Sequence, residues 1–412
     1  MPVIPARRKV AAALALVVLT VGAVAAWLHW NSPRPVLAPI GPARVQPRIL
    51  CGGGAVIVLA PDGSLWGWGS NVRDQLGRDP RDLVPRPCRL SAGTSWATVA
   101  ANRQLALAVG IKTDGTLWGW KLDAFEWPRS FLKVNDDRDW CHTIVGQSNV
   151  LAFALKTNGT LWAWMWGASG RRALGPMPLD GQSEQVGTNS DWVSVAASSF
   201  DTWGLRRDGT LWRLGLGPSE PSASQLGKES NWVSLHAGSS FSLARKADSR
   251  WWARGPNVPF MMDLPVTHQP TQFVCLPQSE RWEVVAAGRN HLLALTRNGS
   301  MRALGMNAFG QLGDGTTNNH SAPVEVASGN VWVAVGAGDR YSVGLAADGS
   351  LWTWGQRVDE DYTQRSKFVE TLGSWARQLG FRAAWANPMP PRSDTKPRCI
   401  LRFTTNAPAR PK

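Results

Sequence analysis

One phrase returns seven times along this chain, and its recurrence limits the possible folds more than any other feature. It first reads Asp62-Gly63-Ser64-Leu65-Trp66-Gly67-Trp68-Gly69. It returns as Asp114-Gly115-Thr116-Leu117-Trp118-Gly119-Trp120, as Asn158-Gly159-Thr160-Leu161-Trp162-Ala163-Trp164 and as Asp208-Gly209-Thr210-Leu211-Trp212. A worn copy, Asp248-Ser249-Arg250-Trp251-Trp252, precedes Asn298-Gly299-Ser300-Met301 and Asp348-Gly349-Ser350-Leu351-Trp352-Thr353-Trp354-Gly355. The second turn position falls at 63, 115, 159, 209, 249, 299 and 349, in steps of 52, 44, 50, 40, 50 and 50. A period near fifty residues marks a repeat architecture, in which each unit buries its core against its neighbours.

Each unit reads as a small sheet. Asn-Gly and Asp-Gly tolerate positive φ, so a two-residue type I′ hairpin is predicted between short runs rich in Leu, Val and Trp. A second marker precedes five of the hairpins, at Trp96-Ala-Thr-Val99, Trp192-Val-Ser-Val195, Trp232-Val-Ser-Leu235, Trp282-Glu-Val-Val285 and Trp332-Val-Ala-Val335, followed by small residues. Alternation from Trp to Val gives a further strand, hence at least three per unit. Sheets of this size bury both faces when stacked around an axis, as blades of a β-propeller.

The motifs resemble the RCC1 repeat family, named for the regulator of chromosome condensation. Its W-x-x-V-x-A-G strand, its D-G hairpin and its W-G-x-N-x-x-G-Q-L-G segment all have counterparts here. The last is best kept at Trp68-Gly69-Ser70-Asn71 with Gln75-Leu76-Gly77, and at Leu304-Gly305-Met306-Asn307 with Gln311-Leu312-Gly313. The resemblance covers roughly residues 49 to 380 and implies an all-β, seven-bladed propeller. It implies protein binding less sharply, because the family includes a nuclear guanine-nucleotide exchange factor and a secreted bacterial inhibitor of β-lactamases. The middle repeats depart from the pattern: the Asn and Gln-Leu-Gly segment is eroded in repeats three to five, Ser249 replaces Gly, and Arg302 stands at a Trp position.

The net charge of +14 invites a nucleic-acid reading until it is located. Residues 1 to 48 carry +6 and residues 382 to 412 another +6, which leaves the body at +2. A near-neutral body is not the footprint of a duplex-binding face, so no nucleic acid is expected. Arg7-Arg8-Lys9 precedes Val10 to Leu28, nineteen residues without a charge. That length suits a membrane-spanning helix with the positive end in the cytoplasm. The predicted organisation is a basic segment at 1–9, an N-terminal transmembrane helix at 10–30, a Pro-rich linker at 31–48, a propeller at 49–385 and a basic Pro-rich tail at 386–412. The rival is a cleaved signal peptide, since Ala23-Val24-Ala25 fits a small-x-small site. Either way the body is exported, and the arrangement resembles a bacterial inner-membrane anchor carrying a periplasmic or extracellular propeller. Trp375-Ala-Arg-Gln-Leu379-Gly380 resembles one more inner strand, so the C-terminal end is expected to complete a blade beside the N-terminal segment.

Catalytic signatures are missing from the sequence. Six histidines show no metal spacing, and there is neither a G-x-S-x-G elbow nor a P-loop. His236 and His291 are expected to be structural, and His142 and His320 to lie in loops. Five cysteines lack C-x-x-C spacing; one disulfide is conceivable if the body is exported. No cofactor and no metal are expected, nor is enzymatic activity. What remains is a surface. The least regular segments follow the Trp-x-Trp strands and carry aromatics, Asn and Arg, common anchors of interfaces. The candidate binding residues are Asn71, Phe125, Trp127, Arg129, Trp166, Arg171, Arg172, Asn257, Phe260, Asn307 and Phe309. The expected role is that of a monomeric binding or scaffolding module for a protein partner in the cell envelope. The alternatives are a cell-wall or carbohydrate-binding protein or glycan hydrolase, which needs a carboxylate pair in an aromatic cleft, and an exchange-factor-like protein, which needs a cytoplasmic GTPase.

Overall fold

The computed structural model describes residues 45–71, 76, 83–91, 93, 95–102, 105, 107–121, 132–146, 151–165, 183–217, 220–238, 240–263, 272–326, 329–358 and 393–402. These form seven four-stranded antiparallel sheets, each built from four consecutive strands, at 48–89, 96–133, 140–185, 192–225, 232–275, 282–325 and 332–402. The inner strand of each blade touches the inner strands of its neighbours, and that of the seventh (Trp332–Ala337) touches that of the first (Arg48–Gly52). The result is a closed ring of seven blades. The predicted transmembrane helix lies outside the described residues; among those described, no helix is long and apolar enough to cross a membrane.

The core is a chain of clusters between adjacent blades. The Trp that opens the inner strand of blades two to seven is buried in every case, at Trp96, Trp140, Trp192, Trp232, Trp282 and Trp332. Trp140 opens a strand, Trp140–Val145, that the sequence pattern did not single out, because Cys-His-Thr-Ile stands where the other blades alternate towards Val. The backbone N–H of Trp192 donates to the carbonyl of Gly159 in the preceding hairpin at 3.1 Å, and Trp140, Trp232 and Trp332 repeat the bond. Glycine is required at that turn for space as well as conformation. A Cβ on Gly115 (φ +81°) would sit 1.9 Å from the Arg138 carbonyl oxygen of the linker into the next blade.

The hairpins correct one expectation. Positive φ occurs only at the residue after the Asp or Asn, glycine in six turns and Ser249 in the fifth, and not at the Asp or Asn itself, so the turns are not type I′. Gly115 N–H bonds Lys112 O at 2.9 Å, and Lys112 N–H bonds Thr116 O at 3.0 Å. This is a type I turn closed by a left-handed glycine bulge. Asp114 Oδ1 selects it by accepting both the amide (3.1 Å) and the hydroxyl (2.6 Å) of Thr116. That hydroxyl in turn accepts the indole N–H of Trp118 at 2.8 Å. The same relay runs through Ser64, Thr160, Thr210 and Ser350. It explains why Trp118 and Trp162 are half-buried: their indole N–H groups are held at the blade margin by the turn.

The C-terminal end does complete a blade beside the first, but through a later stretch than the sequence suggested. The outer strand of blade seven is Ser393–Arg402, paired with Ser350–Gln356, so the propeller continues into the stretch expected to be a tail. Trp375 to Gly380 lies outside the described residues. Among the described residues no strand is exchanged at the seam, because Arg48–Gly52 is the inner strand of its own blade. Closure is apolar instead. Ile49, Val56, Val58 and Trp68 pack with Val343, Leu345 and Leu351, and the Tyr341 hydroxyl donates to Ala55 O at 2.8 Å.

Candidate binding face and central channel

Strand direction sorts the connections onto two faces. The hairpins and the linkers between blades share one; the turns after the inner strands and the long loops before the outer strands share the other. On this loop face, the long loop of one blade covers the turn of the next. Asn257 Nδ2 donates to Arg289 O at 3.0 Å and to Asn290 Oδ1 at 2.5 Å. The one-turn helix Val258–Met261 that follows packs Val258 and Met261 against Leu292 and Leu304. In the next loop along, Phe309 lies under the Arg340 guanidinium, 4.7 Å from its ring centre.

The candidate residues divide accordingly. Asn71 and Asn307 are buried and brace their own loops. Asn71 Oδ1 accepts the Leu76 amide at 2.9 Å, and Asn307 Oδ1 accepts the Leu312 amide at 2.9 Å. Asn307 Nδ2 also donates to Asp314 Oδ1 and the Thr316 carbonyl, both at 3.1 Å. These two are therefore corrected from contact residues to loop braces. Asn257 is half-buried and joins two blades, while half-buried Phe309 is part of the face itself. Phe125, Trp127, Arg129, Trp166, Arg171 and Arg172 lie outside the described residues, as does the side chain of Phe260.

Three exposed side chains on the loop face were not anticipated. Phe200 is 57 % exposed in the inner turn of blade four, and Arg289 and Arg340 are exposed in the corresponding turns of blades six and seven. Beside Phe200, Asp201 is held by Arg213 at 2.9 Å and by Arg254 of the next blade at 3.3 Å. Their common signal in the sequence is position, since each stands just after the small residues that end an inner strand.

The inner strands enclose a central channel of about 540 Å³. Its walls are mostly Val, Leu and Ala, yet Arg48, His142 and His236 also line it. His142 is thus an inner-strand residue, not a loop residue as expected. Burial in the channel pushes its pKa down to about 3, and the charge of Arg48 adds to the effect. His236 is lowered to about 4 for the same two reasons, with a further contribution from Arg245. Outside the channel, His291 is buried with Nε2 2.9 Å from Ser342 Oγ, and burial lowers it to about 4. His320 Nε2 lies 3.0 Å from Asp314 Oδ2. The five cysteines are free thiols, and among the described residues no group of three or more His, Cys, Asp or Glu side chains is placed to hold a metal.

Comparison with known proteins agrees with this architecture. The family described as "Regulator of chromosome condensation (RCC1) repeat" matches residues 62–109 and 298–345, and a second description of the same repeat matches 284–311. The chain carries RCC1 repeats. It is 25 % identical over 319 residues to the RCC1 domain-containing protein RUG3, mitochondrial, of Arabidopsis thaliana, a match covering 73 % of this chain and 63 % of that protein. It is 40 % identical over 95 residues to the Protein RCC2 homolog of Xenopus laevis, covering 21 % of this chain and 18 % of the relative. The chain thus spans less than two thirds of the length of these curated relatives. Among solved structures, yeast RCC1 (Prp20) bound to Kap60 superposes with a TM-score of 0.62 at 15 % identity, over 90 % of this chain and 88 % of that one. Human WBSCR16 superposes at 0.57 and 17 % identity, over 73 % and 87 %. At these identities the superpositions speak to fold.

Proposed function

We propose that this chain of RCC1 repeats is a non-catalytic protein-binding module that engages its partner through the loop face of the disc. The observation that carries the reading is the disposition of Phe200, Arg289 and Arg340, with Phe309 beneath Arg340, on the face where adjacent blades are locked together. Aromatic and arginine side chains on a preorganised surface contribute most per residue to protein interfaces. Yeast Prp20, a propeller of this fold, has been solved bound to Kap60, and its structure has been described together with its binding to Gsp1p and histones. This supports a protein as the class of partner and says nothing of its identity here. The partner belongs to the cell envelope on this reading, because the sequence places a basic flank and a nineteen-residue apolar run before the propeller.

A photo-crosslinking amino acid at position 200 tests the binding face. It should capture a protein from the envelope fraction, whereas the same probe at exposed Val331 on the hairpin face should not. Capture at 331 alone refutes the assignment. Location is tested separately by protease added to spheroplasts, which should digest the propeller. A protected, full-length soluble chain in the cytoplasm removes export and favours the exchange-factor alternative.

A further inference from the structure

Three nitrogen-bearing side chains line the channel, Arg48, His142 and His236, drawn from blades one, three and five. Arg48 and His142 occupy equivalent positions of their inner strands, paired with Leu59 and Leu155 respectively. His236 stands one pleat further along its strand, paired with Leu243, so it projects to the same side as the other two. Arg48 is half-buried, and among the described residues its guanidinium makes one hydrogen bond, to Val99 O at 3.3 Å. Of the other titratable groups at the channel, Cys51 is turned towards Tyr341 at the seam, and its thiol is held protonated by burial. Asp339 sits in the turn after the blade-seven inner strand and marks the loop-face mouth. Arg245, behind His236 on the adjacent strand, is paired with Glu283 at 3.4 Å.

A guanidinium in an apolar channel calls for an anion, since an unpaired charge is costly to withdraw from water. One permanent cation flanked by two neutral imidazoles matches a single negative charge. We propose that the channel is a binding site for a small organic monocarboxylate, with its carboxylate on Arg48, His142 and His236 and its apolar body against Ile144, Val284 and Val333, which line the channel with exposed or half-buried side chains. The volume lies in the range of small-molecule pockets. A planar carboxylate also suits the two parallel N–H groups of a guanidinium.

Benzoate is the probe, and benzyl alcohol its neutral counterpart of the same shape. Titration calorimetry on the full chain should show benzoate binding and no benzyl alcohol binding. Arg48→Met should weaken benzoate at least about tenfold, the loss of a charge-assisted hydrogen bond. Arg48→Lys should bind more weakly than the parent but better than Arg48→Met. A readout that needs no variant is the imidazole NMR spectrum of the parent. Benzoate should shift His142 and His236 and leave His291 and His320 in place. Absence of benzoate binding, equal binding of the alcohol, unchanged affinity in Arg48→Met, or shifts confined to His291 and His320 would each overturn the assignment.

Discussion

Blades four and six place a cation near the same hairpin by opposite routes. In blade four, Arg206 ends the second strand between two indoles, 4.9 Å from the ring centre of Trp192 and 3.8 Å from that of Trp212, with Asp191 at 3.6 Å. Lysines fill this position in blades two, three and five, so four consecutive blades carry a Trp–cation–Trp stack. In blade six, Thr296 takes the place of the cation and Arg302 takes that of the second indole. Arg302 bonds Glu280 at 2.5 Å and Glu325 at 3.1 Å. The hairpin is satisfied either by an indole N–H closing the Asp–Thr relay or, without the indole, by Thr296 Oγ1 donating to Asn298 and Ser300. The lesson is that the left-handed turn position, glycine in six blades and Ser249 in the fifth, and the Asx acceptor are the fixed parts of the repeat, while the layer over the hairpin is interchangeable.

The largest expected effect separates the buried Trp from that layer. Trp192→Ala should cost about 3–5 kcal/mol in denaturant unfolding, the range for emptying a buried aromatic site. Trp212→Ala, at the half-exposed margin, should cost clearly less; equal losses would abolish the distinction between core and layer. Gly115→Ala comes next, at about 1–3 kcal/mol, because it forces a left-handed non-glycine residue against the next linker. A melting temperature equal to the parent's would show that the linker yields freely. For the layer itself, Arg206→Met should cost about 1–2 kcal/mol through the lost cation–π contacts. Arg302→Met should cost about 0–1 kcal/mol, and its effect should shrink in salt, as expected of a partly exposed ion pair. Matching salt dependence for the two variants would erase the contrast.

Acid should weaken the ring at the channel and between blades six and seven. His236 in the channel and His291 between blades six and seven are each lowered to about 4, so the folded chain binds fewer protons than the unfolded chain between ~6.5 and about 4. Stability should therefore be fully present above ~6.5 and fall as the pH drops, by on the order of 1 kcal/mol per pH unit for each imidazole. His291→Gln should flatten the slope of unfolding free energy against pH, and an unchanged slope refutes its part. One substitution should act with the opposite sign. Ser249 holds φ +70° where the other turns have glycine, so Ser249→Gly should stabilise by about 1 kcal/mol in thermal unfolding.

Much of this ring was legible because Asp-Gly-Thr-Leu-Trp encodes a turn, a relay and a buried strand start within five residues. What escaped was set by contacts between blades. The outer strand Ser393–Arg402 pairs on one side only and carries Asp, Lys, Pro and Arg, so it reads as tail rather than as strand. Arg48, His142 and His236 are far apart in sequence and converge only when the ring closes. Asn71 and Asn307 looked like surface polar groups, but each is consumed by amides five residues on, a loop geometry invisible to spacing alone. Phe200, Arg289 and Arg340 differ in type and share only their place after an inner strand, which pattern matching on residue identity passes over.

The most direct test of the binding account compares the two faces of the disc in one pull-down. One full-length variant carries Phe200→Ser, Arg289→Glu and Arg340→Glu on the loop face; the other carries Val331→Ser and Arg297→Glu on the hairpin face, both exposed there. Both should unfold at about the parent's denaturant midpoint, since surface changes of this kind stay within ~0.5 kcal/mol each. The account predicts that the first loses the envelope protein crosslinked at position 200 and the second retains it. Retention by the first with loss by the second would contradict it.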